Sequence, residues 1–200
     1  GCAQAEGMAA AVMTNLRTAP PAAAGQHRLL YRPDEPDTSA TGPCIDDFDG
    51  DKPDHCSPYH EVPVPDDKQE IITAANSDPD IECAVALNAV RAHLGEQMQP
   101  TTDGSSCRFL EPTHAVHLEV DISKFYRPDE YGDDADLYRN RKKIDVAGHP
   151  AIYFESGSGR TRSSYDLYAS PGSDTSVPGF VHVLLDLSPP RGAPSGSPIA

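Results

Sequence analysis

Two segments of this chain alternate so regularly that they leave little choice of structure. In HAVHLEVDIS (114–123), Val116, Leu118, Val120 and Ile122 fall on one side of an extended backbone, and His117, Glu119 and Asp121 fall on the other. In GFVHVLLDL (179–187), Val181, Val183, Leu185 and Leu187 share one side in the same way. Side chains of a strand point alternately to opposite faces, so each segment reads as a strand with one face buried and one face wet. SSCRFL and SSYDLYAS are further strand candidates. KKIDV, AGHPA and IYFES together read as two short strands about a Gly-containing turn.

One helix is equally legible, in SDPDIECAVALNAVRAHLG (77–95). Asp78 suits the cap, Pro79 the first turn, and Asp80 and Glu82 the positive end of the helix. Cys83, Leu87, Val90 and Leu94 form one apolar stripe. Arg91 and His93 suit the last turn, and Gly95 is a natural stop. DDKQEIITAANS (66–77) is read as a short helix or as irregular chain. The expected fold class is α+β: a mainly antiparallel β-sheet covered by one or two helices, disulfide-braced, with a long irregular N-terminal segment.

The bracing matters because the interior is thin. Only 38% of the 200 residues are apolar, with 20 prolines and 15 glycines, and the apolar residues concentrate between about 81 and 187. Four cysteines suggest two local pairs by proximity, Cys44 with Cys56 and Cys83 with Cys107, although four cysteines allow three connectivities. Loops of these sizes, once closed, stabilise by roughly 3 kcal/mol each in the chain-entropy account. Disulfides persist in oxidising compartments, and no CxxC pair offers a metal or redox site instead.

The fifth cysteine, Cys2, follows Gly1 and precedes small and polar residues. This start resembles the end of a bacterial lipobox, in which the cysteine takes a diacylglyceryl group. Gly1 is then the last residue of a precursor signal or a cloning remnant. Acyl chains gain about 0.8 kcal/mol per buried methylene and hold a soluble domain at a membrane without a spanning helix. No complete signal peptide and no apolar run long enough to span a bilayer is present.

The expected organisation is a lipid-anchor site and flexible tether over 1–43, a proline-rich disulfide loop segment over 44–77, an α+β domain over 78–188 and a disordered tail over 189–200. The pentapeptide YRPDE occurs at 31–35 and again at 126–130 with nothing matching around it, and both copies read as loop.

The formal charge of −15 argues against nucleic acid, which requires clustered Lys and Arg. The one dense basic run, Arg139, Arg141, Lys142 and Lys143, follows Asp133, Asp134 and Asp136 and reads as a solvated charged turn. In the acidic loop CIDDFDGDKPDHC, Asp47, Asp49, Asp51 and Asp54 are candidate oxygen ligands for calcium. The loop resembles the Asp-rich, Cys-closed repeats of thrombospondin-type calcium modules. It departs from EF-hand spacing, and a solvated acidic turn is the favoured alternative, so no cofactor is expected beyond a possible Ca²⁺.

The eight histidines read as surface residues, with His117 and His182 as possible neighbours on polar strand faces. Serine-nucleophile motifs are absent, ESGSGR lacks the residues of a phosphate loop, and Tyr59, His60 and Glu61 point apart on extended chain.

The succession CAVALNAVRAHLGEQ, GSSCRFLEP, an alternating strand, IDVAGHPAIYF and a late strand pair resembles small actinobacterial, mycobacterial-type cell-envelope lipoproteins over about residues 78–188. In that group a cysteine opens a helix ending in Leu-Gly and a second cysteine begins the first strand, here Cys83, Leu94, Gly95 and Cys107. Gly148 and Ala151 fall in its later strand-turn element. The Cys44–Cys56 loop, the Pro-rich preface and the lack of tryptophan depart from the group. The resemblance implies an anchored, disulfide-bonded module with no known catalytic residues. The expected function is that of a non-enzymatic binding or accessory subunit of an envelope membrane complex. It would sit outside the cytoplasm on the outer face of the bacterial cell membrane, held by lipid on Cys2 and docked to a protein partner. The alternatives are a small apolar-ligand carrier, with a pocket among Leu87, Val90, Val120 and Val183, and a hydrolase with an unrecognised site.

Overall fold

The computed structural model describes Gly7 and residues 57–102, 104–111, 115–134, 136–156 and 163–189. The described elements are β1 (Ser57–Pro58), α1 (Lys68–Ala75), α2 (Pro79–Leu94), β2 (Gln99–Thr102), β3 (Cys107–Leu110), β4 (Val116–Ser123), β5 (Arg139–Val146), β6 (His149–Ser156), β7 (Ser163–Ala169) and β8 (Phe180–Leu187). They build one eight-stranded, wholly antiparallel sheet in the order β1-β2-β3-β4-β8-β7-β6-β5, with both helices on one face. This is the expected α+β class.

The two alternating segments become the central pair. β4 and β8 pair along eight positions, from Val116 opposite Leu187 to Ser123 opposite Phe180. Their apolar sides meet the helices in one core with Leu167 and Ala169 from β7 and Ala151 and Tyr153 from β6. The β5–β6 hairpin turns through Ala147 and Gly148, both at positive φ (53° and 82°), as a tight two-residue turn demands. The Asp145 carboxylate accepts the Gly148 amide there at 2.8 Å.

The helices begin and end where their caps place them. Asp67 accepts the amides of Gln69 and Glu70, so α1 is a helix rather than irregular chain. Asp78 accepts from Asp80, Pro79 opens α2, and Gly95 at φ 103° closes it on the Arg91 carbonyl. The expected single stripe on α2 proves too narrow. Ile81 to Leu87, Ala89 and Val90 are all buried, while Leu94 is only partly so. The reason is that α1, the sheet and the apolar side chains of Tyr59, Val62 and Val64 all pack around it.

Cys83 on α2 and Cys107 at the start of β3 are bridged, with Cα atoms 5.1 Å apart and both residues fully buried. Beside them, Glu82 points into the core. Its two carboxylate oxygens accept the amides of Ile122 (2.7 Å) and Cys107 (3.0 Å), at the split where β3 stops pairing with β4. Burial pushes its pKa well above the ordinary carboxylate range, against the lowering effect of the Ile122 amide.

The basic run is strand throughout: Lys142 and Lys143 belong to the strand expected for KKIDV, and Arg139 and Arg141 extend that strand rather than forming a turn. Arg139 to Lys143 belong to β5, the exposed edge of the sheet, with a register shift between Arg139 and Lys142 where Asn140 sits at φ 55°. Dense like charge and a bulge suit an edge strand, because both discourage another chain from pairing with it. The charges are also used. Arg141 binds the carbonyls of Tyr131 and Asp129 and the carboxylate of Asp133 (3.0 Å), and the Lys142 ammonium lies over the Tyr153 ring.

Candidate functional site

The alternation of β4 and β8 predicts a wet face opposite the helices. Over β6, β7 and β8 that face is covered. The chain between β4 and β5 crosses it as a strap, and it carries Tyr131 and Tyr138 onto Ile152, Phe154, Tyr168 and Phe180. Tyr131 stacks on Tyr168 (4.1 Å between centroids, 11° between planes), and Tyr138 leans on Phe154 at 4.7 Å. Gly132, at φ 74°, lies against the Phe154 ring with no room for a Cβ.

Beneath and beside the strap lies a layer of polar side chains from three strands. Registers alone place them together: Asp186 is opposite both His117 and Ser164, and His182 is opposite both Asp121 and Tyr168. Ser164 Oγ donates to Asp186 Oδ1, and His117 Nδ1 stands 3.9 Å from Asp186 Oδ2. His182 Nε2 lies 3.0 Å from Asp166 Oδ1, with its ring stacked 4.0 Å from Tyr168. Ser164, Asp166, His182 and Asp186 are all buried. Burial, with Asp166 next in effect, pushes the Tyr168 hydroxyl far up, so it stays protonated. Nearer the rim, Arg108 and Glu119 face each other across β3 and β4 at 3.4 Å.

The order of these groups determines their chemistry. A nucleophilic serine needs a base that takes its proton, with the carboxylate behind that base. Here the carboxylate stands between the serine and the histidine, so the Ser164 hydroxyl is tied to Asp186 and His117 lies beyond it. The other couple, Asp166 with His182, is closed by the Tyr168 ring. Ser164 with Asp186, and Asp166 with His182, satisfy one another's buried polar groups.

His117 and His182 do lie on the same sheet face, but at different registers: one faces Asp186 and the other Asp121. His182 and His149 are buried rather than superficial, because the sheet face and the β6 start are covered, and His149 Nδ1 lies 3.1 Å from the Ser170 carbonyl. His60 and His93 are exposed, and His27, His55 and His114 lie outside the described residues. His60 is held by Asp80 through its amide (3.1 Å) and ring (3.4 Å). Burial and then Glu61 push the Tyr59 hydroxyl up to about 12, which leaves it protonated and no base.

Cys2, Cys44, Cys56, Asp47, Asp49, Asp51 and Asp54 lie outside the described residues. Among the described residues no three His, Cys, Asp or Glu side chains converge as metal ligands, and no helix is long and apolar enough to cross a membrane. Sequence reasoning missed Ser164, Asp166, Tyr168 and Asp186. Their signal was the alternation of SSYDLY itself, which puts 164, 166 and 168 on one face, but only the pairing of β7 with β8 brings them to the histidines. Compared with known proteins, the chain matches no family model, no curated protein and no solved structure.

Proposed function

We propose that this chain is an exported lipoprotein of the actinobacterial envelope type that it resembles. In this reading it is anchored through Cys2 to the outer face of the cell membrane and serves as a non-enzymatic binding or accessory subunit of a membrane complex. The observation that carries the reading is the Cys83–Cys107 bridge, which sits fully buried where the helix layer meets β3. A bridge at the centre of a thin core suits a protein that matures where thiols are oxidised.

The polar layer supports the non-enzymatic part, since Asp166 and His182 hold each other and the serine hydroxyl is held by a carboxylate rather than by a histidine. A ligand carrier gains no support. Leu87, Val90, Val120 and Val183, the expected lining of its pocket, are buried in one cluster. The test is the intact mass of protein purified from its native membrane. Acyl mass on Cys2 together with the hydrogen loss of oxidised cysteines is the expected result. Five unmodified thiols would overturn the proposal.

A further inference from the structure

The helix side of the sheet has room for one more helix. Among the described residues, α2 packs on β2, β3 and β4, α1 packs on β4, and neither packs closely on β6 or β7. The registers carry the same face outward: Val120 is opposite Val183, Val183 opposite Leu167, and Leu167 opposite Tyr153. These residues are fully buried, as is Leu185 on the same face of β8. The Lys142 ammonium stands over the Tyr153 ring, but Leu167 and Leu185 lie further inside the sheet and need a cover of their own. Packed helices stand 8–10 Å apart and strands about 4.8 Å. A helix beside α2 is therefore centred about two strands on, over β8, with side chains that reach β7.

Gly7 shows what enters that room. It is helical, and a Cβ built on it would stand 3.8 Å from the His93 ring. His93 shares one flank of α2 with Glu82, Ala86 and Ala89 by helical spacing. Glu82 reaches the Ile122 amide on β4, so this flank is the one turned toward β8. The opposite flank, with Asp80 and Arg91, faces Tyr59, which follows β1 at the other edge of the sheet. Gly7 thus lies on the β8 side of α2, at its C-terminal end. The sequence around it, AEGMAAAVMTNL, is rich in strong helix formers. Ala5, Met8, Ala9, Val12 and Leu16 fall at i, i+3, i+4, i+7 and i+11, which makes one apolar stripe.

We propose that residues 3–16 dock as a helix beside α2, with this stripe turned to Leu167 and Leu185. Cys2 is five residues from Gly7, at most about 18 Å along an extended chain. The lipid of the anchoring reading is then seated at the C-terminal end of α2 rather than at the free end of a long tether. That seating rests on the anchoring proposed above; the docking itself needs no acyl group.

The test uses the full chain made without acylation and carrying Cys44→Ser/Cys56→Ser, so that Cys2 is the one free thiol. A nitroxide on Cys2 is expected to broaden the amide signals of residues 91–95 and to leave those of Phe125 and Tyr126, which follow β4 at the other end of the sheet, sharp. Gly7→Ala, which the 3.8 Å clearance admits, should raise the urea midpoint by about 0.4 M, because Ala replaces Gly within a helix. Met8→Asp/Val12→Asp should lower it by about 1 M and abolish the selective broadening. Broadening spread evenly over the surface, or midpoints that neither variant moves, overturns the inference. If the two serines prevent folding, the same midpoint comparisons in a Cys2→Ser chain decide it. Broadening at 91–95 that arises only between labelled chains and separate isotope-labelled chains would place the segment on a second copy, and the inference falls. Absence of acyl mass on Cys2 in native material, with these results intact, would overturn the anchoring and leave the docking standing.

Discussion

Removing the Cys83–Cys107 bridge should cost roughly a quarter to two-thirds of the stability of an ordinary domain. The bridge spans 24 positions of sequence. In the chain-entropy account a closed loop of that length stabilises by about 3.5 kcal/mol at 25 °C, against net stabilities of roughly 5–15 kcal/mol. The clean perturbation is reduction rather than substitution, because the reduced protein keeps both buried sulfurs. In a Cys2→Ser/Cys44→Ser/Cys56→Ser background only one bridge remains to be reduced. The protein is unfolded in reductant and refolded, and urea curves of the oxidised and reduced forms are compared. With a slope of about 2 kcal/mol/M, the midpoint should fall by roughly 2 M. Cys83→Ala/Cys107→Ala should fall further, by about 1 kcal/mol for each methyl-sized void. Oxidised and reduced midpoints that agree within the error of extrapolation would show that helix and sheet are held by packing alone. The inference from bridge to oxidising compartment would then lose its footing.

The buried carboxylate gives a pH signature. The folded pKa of Glu82 lies well above its unfolded value, so the fold favours the protonated acid; that contribution is fully present below the ordinary Glu value and is lost as pH rises toward the folded pKa. Glu82→Gln should therefore flatten the pH dependence of the urea midpoint above about pH 4.3, while costing about 1–3 kcal/mol at low pH, because its amide nitrogen cannot accept the second backbone amide; parallel wild-type and variant profiles would refute this. His182→Leu, which strands Asp166, should destabilise by about 3–5 kcal/mol, and His182→Leu/Asp166→Leu should recover much of that loss in a double-mutant cycle; additive losses would show that the pair is not coupled.

Which parts of this structure were legible depends on whether the cause is local. The caps of α2 and the alternation of β4 and β8 are written in neighbouring residues, and both came through in the fold. β2 could not be read: QPTT is short, polar and carries a proline. It is a strand because β3 pairs with it along its length, and Pro100 is tolerated where β1, reaching only Thr101 and Thr102, leaves one side open. The basic run failed for a similar reason. Arg139, Asn140 and Arg141, ahead of the KKIDV strand, carry no apolar alternation, and only their place at the edge beside Glu155 makes them part of it. Of the candidate site, the histidine positions were visible and their partners were not, since Asp166 and Asp186 arrive through the long-range pairing of β7, β8 and β4.

The strap explains why polar alternation was misleading about exposure. Alternation tells that one face differs from the other; it does not tell that the polar face is wet. Here the link from β4 must travel from the middle of the sheet to its far edge before β5, β6 and β7 lead back to β8. Crossing the helix-free face is the route it takes, and Tyr131, Tyr138 and the close approach of Gly132 to Phe154 let it lie flat there. Once covered, Asp166, His182, Asp186 and Ser164 need partners that water would otherwise supply, and they find them across the strands. Such a layer adds little net stability over apolar residues of the same shape. Its effect is on register: a one-residue slip of β7 against β8 would send Ser164 and Asp166 into the apolar core under the helices and strand Asp186 and His182. The polar layer is thus the feature that makes one pairing of β4, β7 and β8 far better than its neighbours, and Arg141, drawn from the basic run, ties the strap down over it through the carbonyls of Tyr131 and Asp129.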